Sequence, residues 1–505
     1  MKTVHVLTFA VLFVVFGGLA LEAQRGRGNE PQPEVKDHRI DLESSFVRIP
    51  LRPGDEAYGR INGERVKQFV NEITAISRKD RDRGNKYWGR VAGTDADKEV
   101  HDLVAAKFRE WGLQDVHFEP VALGPQNVPT DWELAASGSS GALTFKTIFP
   151  MQGAAPTPGA GLDLDLVWAG YGTELDFAGR DVKGKAVFIQ AMPWPNGFQQ
   201  TARFYGSLER AVAKGAAALL VNVAIPGNLT QSIGGPGGTT GFTGFTIGSE
   251  DAAQLKALME KGPVKVHAQL STDRRTGLMD ANVWGTLPGT TNEDIVIMAQ
   301  HDARFEGAFS NASGVATMLG LAEYFAKVPA ANRRRTLRFV STAAGGAQLM
   351  HQNRGTLFAN TALIINCQHT SAMQFIQYEP PEGTKYPEQG GLYKTQTVNA
   401  RQYWVYGSDK LARIIFDSLA RFGVALWDYA MNDGSGLGAV ARDAPSLQTL
   451  VTPVYFSSDY DRPEFVPPSG LEMVGRAYAK IVDQVNGLSR AEIVQTPGPK
   501  GPGLP

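Results

Sequence analysis

A single cysteine, Cys367, occurs among the 505 residues. It lies inside an apolar run and has no second thiol with which to close an intramolecular disulfide, so packing alone must hold the fold. An excess of charge of either sign is also missing: 50 Lys and Arg stand against 51 Asp and Glu, a formal net charge of −1. That balance supplies no field for nucleic acid or for an acidic membrane surface. The run Arg333-Arg334-Arg335 reads as a solvated turn entering an apolar strand. The Gly-rich segment from Ser232 to Gly244 lacks the Lys-Ser/Thr of a P-loop and the dinucleotide fingerprint, so phosphate binding is not expected.

What is present begins with a secretory pattern over residues 1–23. Lys2 supplies a charged start, Val4 to Leu19 an apolar core, and Leu21-Glu22-Ala23 a cleavage site. No cysteine lies near that site, which excludes a bacterial lipid anchor; retention as an uncleaved anchor stays open. The expected location is secreted or periplasmic, with no membrane contact beyond the export signal.

A chain of this length predicts more than one domain. Residues 24–60 read as a polar linker or arm and 61–150 as the first part of an α/β domain. Residues 151–275 form a β-rich insert, 276–490 the second part of the α/β domain, and 491–505 a Pro/Gly-rich disordered tail. Helical spacing marks Val66, Phe69, Val70 and Ile73. A second helix is N-capped by Thr94, with Asp97 three residues on; it buries Val100, Val104, Phe108 and Trp111 and stops at Gly112. Strands are expected at Val116–Leu123, Leu164–Trp168, Ala186–Ile189, Asn282–Leu287, Ile295–Ala299, Leu337–Ser341, Ala362–Cys367 and Pro445–Leu450. Residues 374–402, rich in Gly, Pro and Tyr, read as surface loop.

Three apolar strand runs end near chemistry-bearing positions. His301 follows Ala299, Ala343-Ala344-Gly345-Gly346 follows Ser341, and Gln368-His369 follows Cys367. In a mixed, mostly parallel central sheet flanked by helices these carboxyl ends share one crevice, where ligands bind.

This α/β pattern resembles the co-catalytic dizinc aminopeptidases, the superfamily that also contains glutamate carboxypeptidase and the transferrin receptor. The insert resembles a protease-associated domain. The resemblance runs from about Ile61 to Val485 and implies two zinc ions held by two His and three carboxylates, one bridging, with a further Glu as general base. It places the first His on His301, the supporting Asp on Ala303 and the bridging Asp on Ser310, ahead of Asn311-Ala312-Ser313-Gly314. The paired Glu fall on Gly345, the general-base position, and Gly346; the next Asp falls on Gln368. The last His falls on Ser457 when Asp461-Arg462-Pro463 is set without gaps on the family's Asp-Thr-Pro; a four-residue shift puts Asp461 there instead.

Glycine offers no ligand atom, Ser310 cannot bridge two dications as a carboxylate does, and one imidazole leaves both metals short of four ligands. The expectation is therefore a pseudopeptidase with no cofactor and no catalytic residue, binding a peptide or protein partner. The alternative is a metallo-aminopeptidase with a rearranged, single-metal zinc site, for which His369 and Asp461 are the substitute ligands beside His301. Asp302, Glu306, His351 and Asp459 also fall near the crevice in sequence. A Ser nucleophile, Ser310 or Ser457 with His301, lacks an elbow motif. Oligomeric state is open.

Overall fold

The computed structural model describes residues 49–193, 206–225, 227–236, 241–343, 346, 349, 352–353, 355–378, 391–398, 400–432, 444–450 and 453–494. Residues 1–23, Gly345 and His351 lie outside these, as do the expected arm up to residue 48 and the tail from 495. Two eight-stranded sheets organise the described body.

Helix α1 (Gly63–Asp82) is N-capped by Asn62, whose side chain accepts from the Arg65 N–H, and it buries Val66, Phe69, Val70 and Ile73 as the spacing predicts. Helix α2 (Asp95–Glu110) follows, capped by Thr94 and ended at Gly112 in the left-handed region. Strands β1 (Gln114–Ala122), β2 (Gln126–Gly138), β3 (Gly141–Thr144), β4 (Ile148–Pro150), β5 (Leu162–Trp168), β6 (Ala186–Ala191), β7 (Ala218–Val223) and β8 (Thr243–Ile247) come next. Helix α3 (Ser249–Met259) leads to β9 (Val264–Arg275), β10 (Met279–Leu287) and β11 (Asp294–Gln300). The chain continues with α4 (Ser313–Ala326), β12 (Thr336–Thr342), β13 (Thr361–Asn366), β14 (Met373–Tyr378), β15 (Gly391–Val398) and β16 (Arg401–Tyr406). Helix α5 (Asp409–Arg421), β17 (Leu426–Met431), β18 (Ser446–Leu450) and α6 (Pro468–Asn486) close it.

The first sheet runs β17-β16-β18-β13-β11-β12-β10-β1. Its centre is parallel, with β11 between β12 and β13, and β13 beside β18. Strand β10 pairs antiparallel with β12 and β1, and β16 antiparallel with β18. The central strands are apolar on both faces because both are covered. Helix α4 packs on β11 and β12 with α1 and α6 outside it, while Val296, Met298, Val340 and Ile364 join a separate buried cluster with Trp284 and Phe358. The expected mixed α/β architecture is what the chain adopts.

The second sheet runs β3-β2-β9-β5-β6-β7-β8-β4, with a parallel centre (β5 to β8) and its own core around Val187, Ile189, Leu219 and Val221. It draws strands from Gln126 onward, ahead of the change in composition at 151. The reason is pairing: β2 lies antiparallel along the whole length of β9, from Gly138↔Val264 to Gln126↔Arg275.

Two local readings need correction. Residues 374–402 are not all surface loop: β14 and β15 form an antiparallel hairpin and β16 enters the first sheet. The β-branched and aromatic residues of MQFIQY and GLYKTQTV carry the strand signal that the Gly and Pro between them obscure. Nor is the arginine run a solvated turn. Arg335 is fully buried, paired with Glu293 at 2.6 Å and donating to the Val485 and Leu488 carbonyls at the end of α6, while Arg333 donates to the Pro288 and Phe325 carbonyls. A guanidinium satisfies helix-end carbonyls that would otherwise be orphaned.

Candidate metal centre

His301 leaves β11 one residue after Gln300, which pairs with Thr342 of β12. Its main chain is fixed by Arg90, a fully buried guanidinium whose Nε donates to the His301 carbonyl at 3.0 Å and whose Nη atoms reach Ser77 Oγ and the carbonyls of Glu306 and Gly307. The pairing of Gly89–Arg90 with Ala303–Arg304 pins the loop just beyond. The His301 ring is turned toward β10 and α2. Its Nδ1 lies 3.0 Å from Ser341 Oγ on β12, and its Nε2 lies 3.0 Å from His101 Nε2, 3.3 Å from Asp280 Oδ1 and 3.4 Å from Asp97 Oδ1.

The four residues converge for local reasons. Asp97 and His101 stand one turn apart on α2, on the buried side that also carries Val100 and Val104. Thr94 caps the helix through the Asp97 N–H, and the Asp97 carboxylate folds back to accept from the Gly93 N–H at 2.9 Å. Asp280 enters β10, its Oδ1 3.0 Å from His101 Nε2 and 2.6 Å from the Ala281 N–H. All four are buried. Among the described residues, Asp97, His101, Asp280 and His301 form the one group of His, Cys, Asp and Glu whose ligand atoms lie close enough together to share a metal ion.

Electrostatics follow from that burial. Desolvation and the neighbouring Asp280 charge push the Asp97 carboxyl up to about 8, against the pull of His301. For Asp280 burial acts upward, but hydrogen bonds from His101 and His301 hold it below the usual carboxylate range. Burial lowers His101 despite its bond to Asp280, whereas the Asp97 and Asp280 carboxylates outweigh burial and raise His301. Asp97 Oδ1 and Asp280 Oδ2 are buried without a hydrogen-bond partner. Two imidazole nitrogens facing each other at 3.0 Å beside orphaned carboxylate oxygens are an arrangement that a shared cation satisfies.

The other positions singled out in the sequence lie elsewhere. The Ser310 and Phe309 N–H groups donate to the buried Asp461 carboxylate at 3.1 and 2.7 Å, and burial pushes Asp461 up to about 7. Gly346 has φ +72°, and a Cβ there would stand 2.5 Å from Met298 Cε. Gln368 accepts from Gln448 at 3.0 Å. Ser457, with φ +55°, donates to the Ser232 carbonyl at 2.9 Å, tying the crevice to the second sheet. The His369 ring packs against Phe309 and Phe456 at 5.5 and 5.3 Å. Thus neither His369 nor Asp461 joins His301. Glu306 pairs with Arg78 at 2.7 Å, Asp302 accepts from Gln300, and Asp459 accepts from the Thr230 N–H. A polar cavity of about 830 Å³ opens at the carboxyl end of β11, lined by Tyr87, Asn127, Gln152, Arg274, Asp302 and Arg304.

Sequence reasoning did not select His101 or Asp280 and took Asp97 only as a capping neighbour. The signal available was Asp97-x-x-x-His101 on the same buried side of an amphipathic helix as its apolar stripe. Asp280, a lone carboxylate at the mouth of a buried strand, becomes meaningful only once β10 lies beside β12.

Residues 282–363 match the model of Peptidase family M28. No curated protein matches the chain. Among solved structures it is similar to the peptidase M28 precursor from Shewanella amazonensis SB2B, with 17% identity over 91% of this chain and 99% of that one at a TM-score of 0.68. BSAP, a zinc aminopeptidase from Bacillus subtilis, aligns with 18% identity over 86% of this chain and 98% of its own at a TM-score of 0.60. The aminopeptidase from Aneurinibacillus sp. strain AM-1 aligns at 18% identity over 86% and 96%, with a TM-score of 0.57. The chain therefore resembles the dizinc aminopeptidases of Peptidase family M28, whose family segment spans its central strands and whose fold spans its described body.

Proposed function

We propose that this chain is an exported protein of the aminopeptidase fold that binds a peptide or protein segment without hydrolysing it. The observation that carries the reading is what stands at the positions where the resemblance places the family's ligands. Ser310, Gly346, Gln368 and Ser457 bear no carboxylate or imidazole, and the hydrogen bonds of the other three and the crowding at Gly346 are structural. The paired zinc ions of the family do not fit such a donor set. Without ions to activate water, and with Gly345 at the general-base position, the family chemistry loses both its nucleophile and its proton acceptor.

The polar cavity at the end of β11 supports the binding half of the reading. Arg274 and Arg304 bring positive charge and Asp302 negative charge to one concavity, a pattern suited to the charged and amide groups of a peptide. The insert, on this reading, is a protease-associated domain forming one side of it. Export rests on the apolar core from Val4 to Leu19; among the described residues no helix is long and apolar enough to cross a membrane.

The test pairs metal analysis with activity. The purified protein is expected to show no chelator-sensitive turnover of aminoacyl-nitroanilides and to bind a peptide library member with measurable heat. Two tightly held zinc ions per chain, or chelator-sensitive hydrolysis, would sink the proposal. A second reading, a single-metal aminopeptidase, is favoured by one feature: Asp97, His101 and Asp280 border a cavity of about 330 Å³. Turnover abolished by both chelator and His301→Ala selects it.

A further inference from the structure

We propose that Asp97, His101, Asp280 and His301 form a closed, four-ligand site for one zinc ion that joins α2 to the first sheet, displaced from the family's paired-metal crevice. The inference is independent of whether the chain hydrolyses peptides.

Geometry carries it. With metal–ligand bonds of about 2.0–2.1 Å, the edges of a tetrahedron around zinc are about 3.3–3.4 Å long. His101 Nε2 to His301 Nε2 is 3.0 Å, His101 Nε2 to Asp280 Oδ1 is 3.0 Å, His301 Nε2 to Asp280 Oδ1 is 3.3 Å and His301 Nε2 to Asp97 Oδ1 is 3.4 Å. The His101–Asp97 approach is 3.7 Å, to the other carboxylate oxygen, and one ligand atom from each of the four residues lies within 4.8 Å of the other three. These are the separations of ligands around one small ion.

Charge agrees. In the metal-binding form, with both carboxylates ionised and both imidazoles neutral, the ligand set carries a charge of −2, and one divalent cation cancels it. Asp97 Oδ1, on a fully buried side chain, has no hydrogen-bond partner and points at His301. Ligand type selects the metal. Imidazole suits zinc and its transition-metal neighbours, whereas calcium and magnesium take oxygen cages. Outer partners are in place: Ser341 Oγ on His301 Nδ1, the Gly93 N–H on Asp97 and the Ala281 N–H on Asp280. The cavity bordered by three of the ligands gives an entry path from solvent.

Four protein ligands complete the coordination of zinc, which makes the site structural. Its mechanical effect is to fix one turn of α2 to the mouth of β10 and to the residue that follows β11.

The experiment is plasma emission analysis of the full-length protein purified without chelator, with cobalt(II) substitution and thermal unfolding. One zinc per chain is expected in wild type, falling more than tenfold in His101→Leu. Cobalt(II) should give the intense visible bands of a tetrahedral site, and chelation should lower the unfolding temperature, with zinc restoring it. Should His101→Leu fail to fold, His101→Cys keeps a zinc ligand and is expected to hold one metal with a new sulfur-to-cobalt charge-transfer band. The proposal is overturned by protein that neither contains nor takes up zinc, by an unfolding temperature indifferent to zinc and chelator, by a weak octahedral cobalt spectrum, or by a His101→Cys cobalt spectrum identical to wild type.

Discussion

His101 and His301 stand 200 positions apart in the chain, yet their Nε2 atoms are separated by 3.0 Å, with the second ring held from behind by Ser341. Ser341 pairs with Ala299 on one side and Val283 on the other, so sheet register sets where the His301 ring can point. In Ser341→Ala the ring keeps its position in the chain but loses the group that orients it. Zinc affinity, measured by competition with a chromophoric chelator, is expected to fall about 10–100-fold. An unchanged affinity would remove Ser341 from the site.

Arg90 binds the same loop from below. Its guanidinium serves the carbonyls of His301, Glu306 and Gly307 and the hydroxyl of Ser77 from a fully buried position. Arg90→Met strips donors from these groups and should cost about 3–5 kcal/mol in urea unfolding. Arg90→Lys is expected to recover only part, since an ammonium cannot reproduce the planar fork. A loss below about 1 kcal/mol in Arg90→Met would show the carbonyls to be satisfied some other way.

Close approach between α4 and the end of β13 depends on Gly314. A Cβ there would stand 1.8 Å from the Cys367 carbonyl oxygen, a backbone atom that cannot step aside. Gly314→Ala should destabilise by about 3 kcal/mol or more, at the upper end of overpacking costs. Gly124→Ala, with nothing within 4 Å of the added atom, is the control and should stay within about 0.5 kcal/mol. Equal unfolding temperatures for the two variants would contradict the packing argument.

Asp461 makes stability depend on pH with a definite sign. Burial raises its carboxyl from 3.8 to about 7, so the folded chain keeps a proton that the unfolded chain releases. Its contribution is fully present below about pH 4 and is lost as pH rises toward 7. Asp461→Asn can still accept from the Phe309 or Ser310 N–H through its amide oxygen and does not titrate. The unfolding temperature of this variant, relative to wild type, should climb between pH 4 and 7 and then level off. A difference independent of pH would place the titration elsewhere.

Cys367 is fully buried, and burial pushes its thiol well above the usual range. Native protein is expected to leave a disulfide reagent such as DTNB unreacted, with one equivalent released on unfolding in denaturant. Rapid reaction of the native chain would mean that the end of β13 opens locally.

The sequence by itself determined α1 and α2, the strands β1, β5, β6, β10 to β13 and β18, the mixed sheet and the three strand ends that meet near His301. These follow from short-range periodicity: Ile295–Ala299 and Ala362–Cys367 are apolar because both faces are covered, and Val66, Phe69, Val70 and Ile73 recur because one helix face is. The hairpin around 373–398 and the burial of Arg333 and Arg335 were less legible, since composition dominated by Gly, Pro or charge hides what the backbone pairs with. Only the tertiary structure decided what His301 faces. Its partners Asp97 and His101 lie about 200 residues upstream, and Asp280 lies on an antiparallel neighbour strand. Which carboxylates share a buried space depends on strand order and ring rotation, neither of which is written in the spacing of residues along the chain.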